Sequence, residues 1–238
     1  MTSSHRPGFP SGDLTSSVVA LAGVPDDSPT VPRLLERIVR LTATLVDPVD
    51  YVSVTVHDAG GHRTEAASGP VAQAVDLAQY AQDDGPCLAA LRSGELVAVP
   101  DIAQALVWPG FRDVAWQAGV RASLSVPLFA GSGATLAALN LYARDADAMR
   151  SLTRHVRACY RPAGEAGPLP AVGAGGQQLV AGLTGALRSR DVIQRAIGVV
   201  MGRERLPAAG AYRRLVRASG PGTPLTVTAT QILGQLPR

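Results

Sequence analysis

Apolar residues recur at Leu34, Leu35, Ile38, Leu41 and Leu45, the spacing of one helical face, and predict a helix over 31–46. Pro32 lies near its start, where a missing N–H is tolerated, and Asp47-Pro48 ends it. The period then falls to two. Val52, Val54 and Val56 alternate with Tyr51, Ser53, Thr55 and His57, which predicts a half-buried strand. Ala59-Gly60-Gly61 reads as a hairpin turn, with 63–67 returning as the partner strand. A helical mix over 71–83 leads to the turn Asp84-Gly85-Pro86-Cys87 and a short helix that Gly94 closes. A strand follows at 95–100, and 101–119 reads as irregular. Strands at 121–129 and 134–143, joined by Ala130-Gly131-Ser132-Gly133, and a helix at 145–160 complete the segment. Mixed strands and helices joined by hairpins predict an α+β domain, an antiparallel sheet flanked by helices, over 31–160.

Residues 161–176 hold three prolines and five glycines, a density that breaks helices and predicts a linker. Helical periodicity then runs from 177 to 205. Leu179, Leu183 and Leu187 stack four apart, and the apolar seam passes to Ile193, Ala196, Ile197 and Val200. Pro207 opens a second helix over 208–219, and 225–236 forms a third element whose Thr and Val residues favour helix weakly. The prediction for 177–238 is a small all-α three-helix domain, helped by dimerisation along the long helix. Residues 1–30 read as a disordered lead-in, without the apolar stretch of a secretory signal.

Charge sharpens this division. Residues 1–176 carry 13 arginines and 17 acidic residues, a net −4, whereas 177–238 carry 9 and 2, a net +7. A cationic tail on an acidic body points to a polyanionic partner, or to a solvated arginine-rich face. The chain has no lysine, which excludes P-loop and Schiff-base chemistry. Its two cysteines, Cys87 and Cys159, match no redox or metal spacing. His5, His57, His62 and His155 are too scattered to form a ligand set. No catalytic constellation can be argued from spacing, so no enzyme, metal or cofactor is expected. No apolar run reaches a membrane span, and the expected location is the cytoplasm.

Five stretches carry a resemblance in the first segment: QDDGPCLAAL (82–91), VPDI (99–102), WPGF (108–111), AGVRASLSVPL (118–128) and LNLYA (139–143). Together they resemble the GAF sensory domain of actinobacterial regulators. In the tail, ALRSRDVIQRAIGVVMGRERL (186–206) and AYRRLVRAS (211–219) resemble the ANTAR domain of transcription antiterminators. The match rests on Ser189, Arg190, Ile193, Ala196, Gly198 and Met201, then Ala211, Tyr212, Leu215 and Ser219. The chain departs from that pattern at Ile197, where the family carries Lys, at Ala209-Gly210 and at Thr226-Val227.

The resemblance implies a homodimer that holds RNA stem-loops in nascent transcripts under control of a small-molecule ligand in the GAF domain. Arginine both pairs with phosphate and stacks on bases. The candidate RNA contacts are therefore Arg188, Arg190 and Arg195 on the long helix, with Tyr212, Arg213, Arg214 and Arg217 on the second. Tyr212 reads more readily as a core aromatic, and Arg190 also as a partner of Asp191 or Glu204. The ligand would lie on one sheet face under 71–86 and 104–118, with Tyr80, Cys87, Trp108 and Trp116 as candidate lining. These four also read as core side chains. A DNA-binding regulator and a dimerising sensor without nucleic-acid binding are the rival readings.

Overall fold

The computed structural model describes residues 13–160 and 169–235. The first unit begins with two helices, α1 (Leu14–Gly23) and α2 (Val31–Leu45), and the hairpin β1 (Tyr51–Asp58) and β2 (Gly61–Ala67). Helices α3 (Pro70–Gln82) and α4 (Pro86–Ser93) follow, then β3 (Val97–Val99) and α5 (Pro109–Gln117). Strands β4 (Ala122–Phe129) and β5 (Thr135–Ala143) and helix α6 (Ala146–Cys159) close it. The strands form one antiparallel sheet in the order β2-β1-β5-β4-β3.

One face of this sheet is apolar. Val52 and Val54, Leu139 and Leu141, and Leu124 and Val126 are fully buried there, against α1, α2, α6 and the start of the next helix. The other face is also buried, under α3, α4 and α5. Ser53 and Thr55 are therefore fully buried, and the expectation of a half-exposed strand fails. Strict alternation shows that two faces differ in polarity. It does not show that the polar one is wet.

Residues 14–23 correct the expectation of disorder over 1–30; residues 1–12 lie outside the described ones. Asp13 caps α1, its carboxylate accepting from the Ser16 N–H at 2.8 Å. Leu14, Val18 and Leu21 then bury a stripe against the long helix α7 (Ala174–Glu204). Two glycines permit the close crossing. A Cβ on Gly182 would lie 3.0 Å from Val18 Cβ and 3.2 Å from Thr15 Cα, and one on Gly185 would lie 2.6 Å from Val19 Cγ2. The irregular segment expected at 101–119 contains α5, which Pro109 opens from the first turn.

Of the expected linker, 161–168 lies outside the described residues, and 174–176 already belong to α7. The helix α7 serves two cores. Leu179, Leu183 and Ala186 belong to the apolar face of the sheet domain. Ile193, Ala196, Ile197 and Val200 form a second core with α8 (Ala208–Ser219) and α9 (Leu225–Gly234). The α9 helix forms despite its threonines because Leu225, Thr228 and Ala229 are buried in this bundle. Leu179 and Leu183, part of the leucine row expected to support a dimer along this helix, are thus covered within the same chain. Among the described residues no helix is long and apolar enough to cross a membrane.

Candidate functional site: a buried polar face and an arginine-bearing bundle

The buried stripe of α3 is Ala72, Val75, Asp76 and Gln79, helical spacing with polar groups at two of four positions. It lowers Asp76 onto the polar face of the sheet. One carboxylate oxygen accepts from Tyr142 Oη at 2.7 Å, Ser53 Oγ at 2.9 Å and Asn140 Nδ2 at 3.4 Å. The other accepts from Thr64 Oγ1 at 2.8 Å. Removal from water raises the Asp76 pKa to about 6, and these four donors hold it below what burial alone would impose. Asn140 Nδ2 also donates to Thr55 Oγ1 at 2.9 Å. Asn140 Oδ1 and Ser123 Oγ are buried without a partner among the described residues.

Of the four predicted lining residues, Tyr80 and Cys87 reach this cluster. The Tyr80 hydroxyl lies 2.9 Å from Thr55 Oγ1 and 3.0 Å from Thr64 Oγ1. Cys87 is fully buried beside Leu88 and Ala138, and burial pushes its thiol well above the ordinary range. That environment disfavours the reactive thiolate. Trp108 lies at the rim, donating from Nε1 to Asp84 Oδ1 at 3.1 Å. Trp116 is 45% exposed on α5 and carries the Arg121 guanidinium 3.9 Å from its ring centroid. A cleft of about 270 Å³ lined by Asp113, Trp116 and Gln117 lies outside the polar cluster. Sequence reasoning missed Asp76, Ser53, Thr64, Asn140 and Tyr142. The available signal was Asn140, a polar residue inside the otherwise apolar run 136–141.

On the helical bundle, Arg188 and Arg195 are exposed seven residues apart on α7, and Arg213 and Arg217 are exposed four apart on α8. Arg195 makes a long ion pair with Asp191 at 3.8 Å, and Arg214 pairs with Glu204 at 3.4 Å. Both pairs are solvent-exposed and weak. Ile197 is 4% exposed and belongs to the bundle core.

The remaining two candidates are held by the sheet domain. Arg190 donates from Nε to the Gly133 carbonyl at 2.9 Å, and its guanidinium lies 4.0 Å over the Phe129 ring. Neither Asp191 nor Glu204 is its partner. Tyr212 is half-buried and directs its hydroxyl to Asp26, on the connection between α1 and α2. Burial and the Asp26 carboxylate push that hydroxyl to about 12.

An antiparallel five-stranded sheet closed on both faces by helices, with a polar cluster under one of them, is joined to a basic three-helix bundle. The chain belongs to the GAF domain family, which matches residues 28–158, and residues 181–233 match the ANTAR domain. Among solved structures it is similar to a domain assigned to a two-component sensor histidine kinase from Sinorhizobium meliloti 1021. That likeness has 15% identity and a TM-score of 0.41, covering 76% of this chain and all of that one. It is also similar to the GAF domain region of a protein assigned to the membrane in Geobacter sulfurreducens PCA, at 15% identity and a TM-score of 0.41. That match covers 66% of this chain and 92% of that one. A comparison with curated proteins finds no match.

Proposed function

We propose that this chain is a cytoplasmic RNA-binding transcription antitermination regulator, in which the GAF domain controls the availability of the ANTAR bundle. The observation that carries this reading is the coincidence of the ANTAR match with four exposed arginines, Arg188, Arg195, Arg213 and Arg217, on a segment of net charge +7. Phosphate neutralisation supplies affinity, and guanidinium stacking on unpaired loop bases supplies preference for RNA. In this role the protein makes and breaks no covalent bond. Capture of stem-loops in a nascent transcript keeps a competing terminator hairpin from forming, and a homodimer would hold two such loops. With Leu179 and Leu183 covered, such a dimer forms through another surface, or after α7 leaves α1.

The sensory half of the reading is supported by the Asp76 cluster. A buried carboxylate ringed by hydroxyl and amide donors responds to any small polar molecule or proton that changes its hydrogen bonds. The full-length protein titrated with an RNA stem-loop carrying a hexanucleotide loop, and with duplex DNA of equal charge, tests the proposal. RNA preference with a steep dependence on salt supports it. Equal affinity for both favours a DNA-binding or charge-only regulator, and affinity for neither favours a sensor that does not bind nucleic acid.

A further inference from the structure

The contact between the sheet domain and the bundle is built from specific groups. The connection between β4 and β5 projects Gly131, Ser132 and Gly133 toward the bundle. The Gly131 N–H donates to the Val24 carbonyl at 2.8 Å, and the Ser132 N–H to the Asp26 carboxylate at 2.8 Å. These bonds fix the turn against the α1–α2 connection and form one platform. Onto it the bundle lays four side chains. Arg190 covers Phe129 and reaches the Gly133 carbonyl, and Gln194 donates to the Ser132 carbonyl. Tyr212 bonds Asp26, and Leu225 fills the space over Gly131. A Cβ on Gly131 would overlap Leu225 Cδ1 and lie 2.8 Å from the Val24 carbonyl oxygen. One on Gly133, whose φ is +76°, would overlap the Gln194 side chain. Glycine at 131 leaves the space in which the bundle seats, whereas at 133 the positive φ favours glycine and the Gln194 side chain can swing aside.

The chemistry of the platform parallels that of a nucleic acid. An aromatic face lies under the Arg190 guanidinium where a base would stack, and a carbonyl accepts its N–H. A carboxylate accepts the Tyr212 hydroxyl where a phosphate or a base edge would. Tyr212 and Arg190 lie on the two helices that also carry the exposed arginines. Their residues and those arginines together make up the candidate surface, which is therefore only partly open.

We infer that the β4–β5 turn and Asp26 form an autoinhibitory platform that occupies Arg190 and Tyr212 and competes with RNA for them. This rests on the RNA-binding reading above. RNA engages fully only after the bundle leaves the platform, so the apparent affinity falls by the fraction of molecules that are undocked. Anything that weakens the platform strengthens RNA binding without adding a contact to RNA.

The test uses the full chain and the same hexanucleotide-loop RNA. Asp26→Ala with Gly131→Ala alters only the platform. Gln194→Ala removes one contact from the exposed side of α7 and leaves both cores untouched. The expected result is RNA affinity at least tenfold higher for the platform variant and a smaller gain for Gln194→Ala. In the unsubstituted protein, saturating RNA should speed hydrogen exchange at 130–133, a readout that does not depend on whether a variant folds. RNA bound equally by parent and variants, with exchange at 130–133 unchanged, overturns the platform and leaves the RNA reading intact. RNA bound by neither parent nor variants overturns both.

Discussion

Tyr212 and Asp26 exchange two hydrogen bonds across 186 residues of sequence. The phenol donates to the Asp26 carboxylate at 3.3 Å, and the Asp26 N–H returns to the same hydroxyl at 3.1 Å. One ring thereby ties the bundle to the loop that leaves α1. Tyr212→Phe keeps the ring and removes both bonds. The expected cost is about 0.5–1.5 kcal/mol, from one net hydrogen bond and an N–H left half-buried. Urea unfolding monitored on the bundle checks it.

Asp76 sets a pH dependence whose sign is fixed. Its folded pKa of about 6 lies above the ordinary 3.8. The protonated form is therefore favoured by folding, and that contribution is complete below about pH 4 and lost as pH rises through 6. Asp76→Asn removes the titration and keeps the shape. Between pH 4 and pH 7 the variant should gain on the parent by on the order of 2–3 kcal/mol. Urea midpoints at the two pH values measure it, and parallel curves would refute it.

The close crossing of α1 and α7 predicts intolerance at Gly182. A valine there would press on Val18 and on the Thr15 backbone, which yields only if α1 shifts. A loss of about 1–3 kcal/mol is expected, the usual range for overpacking. Leu14→Ala on the opposing helix should cost about 2–5 kcal/mol, since that side chain is fully buried. Wild-type stability in either variant, by thermal melting, would show that α1 is not part of the core.

The two thiols should differ in reactivity. Cys87 is fully buried with its thiol pushed well up, whereas Cys159 is half-buried on α6. A disulfide reagent added to the native protein should modify Cys159 first and reach Cys87 only on unfolding. Peptide mapping after a short exposure distinguishes them.

Helices with a one-sided apolar stripe were legible along the chain, as α2 and α8 show, because local periodicity carries the information. Pairing of β1 with β2 and of β4 with β5 followed from turn chemistry at Gly60-Gly61 and Gly131–Gly133. The Asp76 cluster was not legible. It joins Ser53, Thr64, Asp76, Asn140 and Tyr142 from four separate elements, and only the long-range order of strands brings them together. The α1 helix was missed because its burial is conferred by α7, some 160 residues away. Arg190 and Tyr212 were legible as chemistry, but their partners Gly133 and Asp26 lie in the other domain.

RNA binding by the exposed arginines is tested most directly on α8. Arg213→Ala with Arg217→Ala removes two cations from one face of α8 and touches neither core. RNA stem-loop affinity of the full chain, measured from low to high salt, is the direct test. The expected result is a loss of about 1–3 kcal/mol and a salt slope shallower by roughly one to two ions. Unchanged affinity and slope in the folded double variant would contradict it.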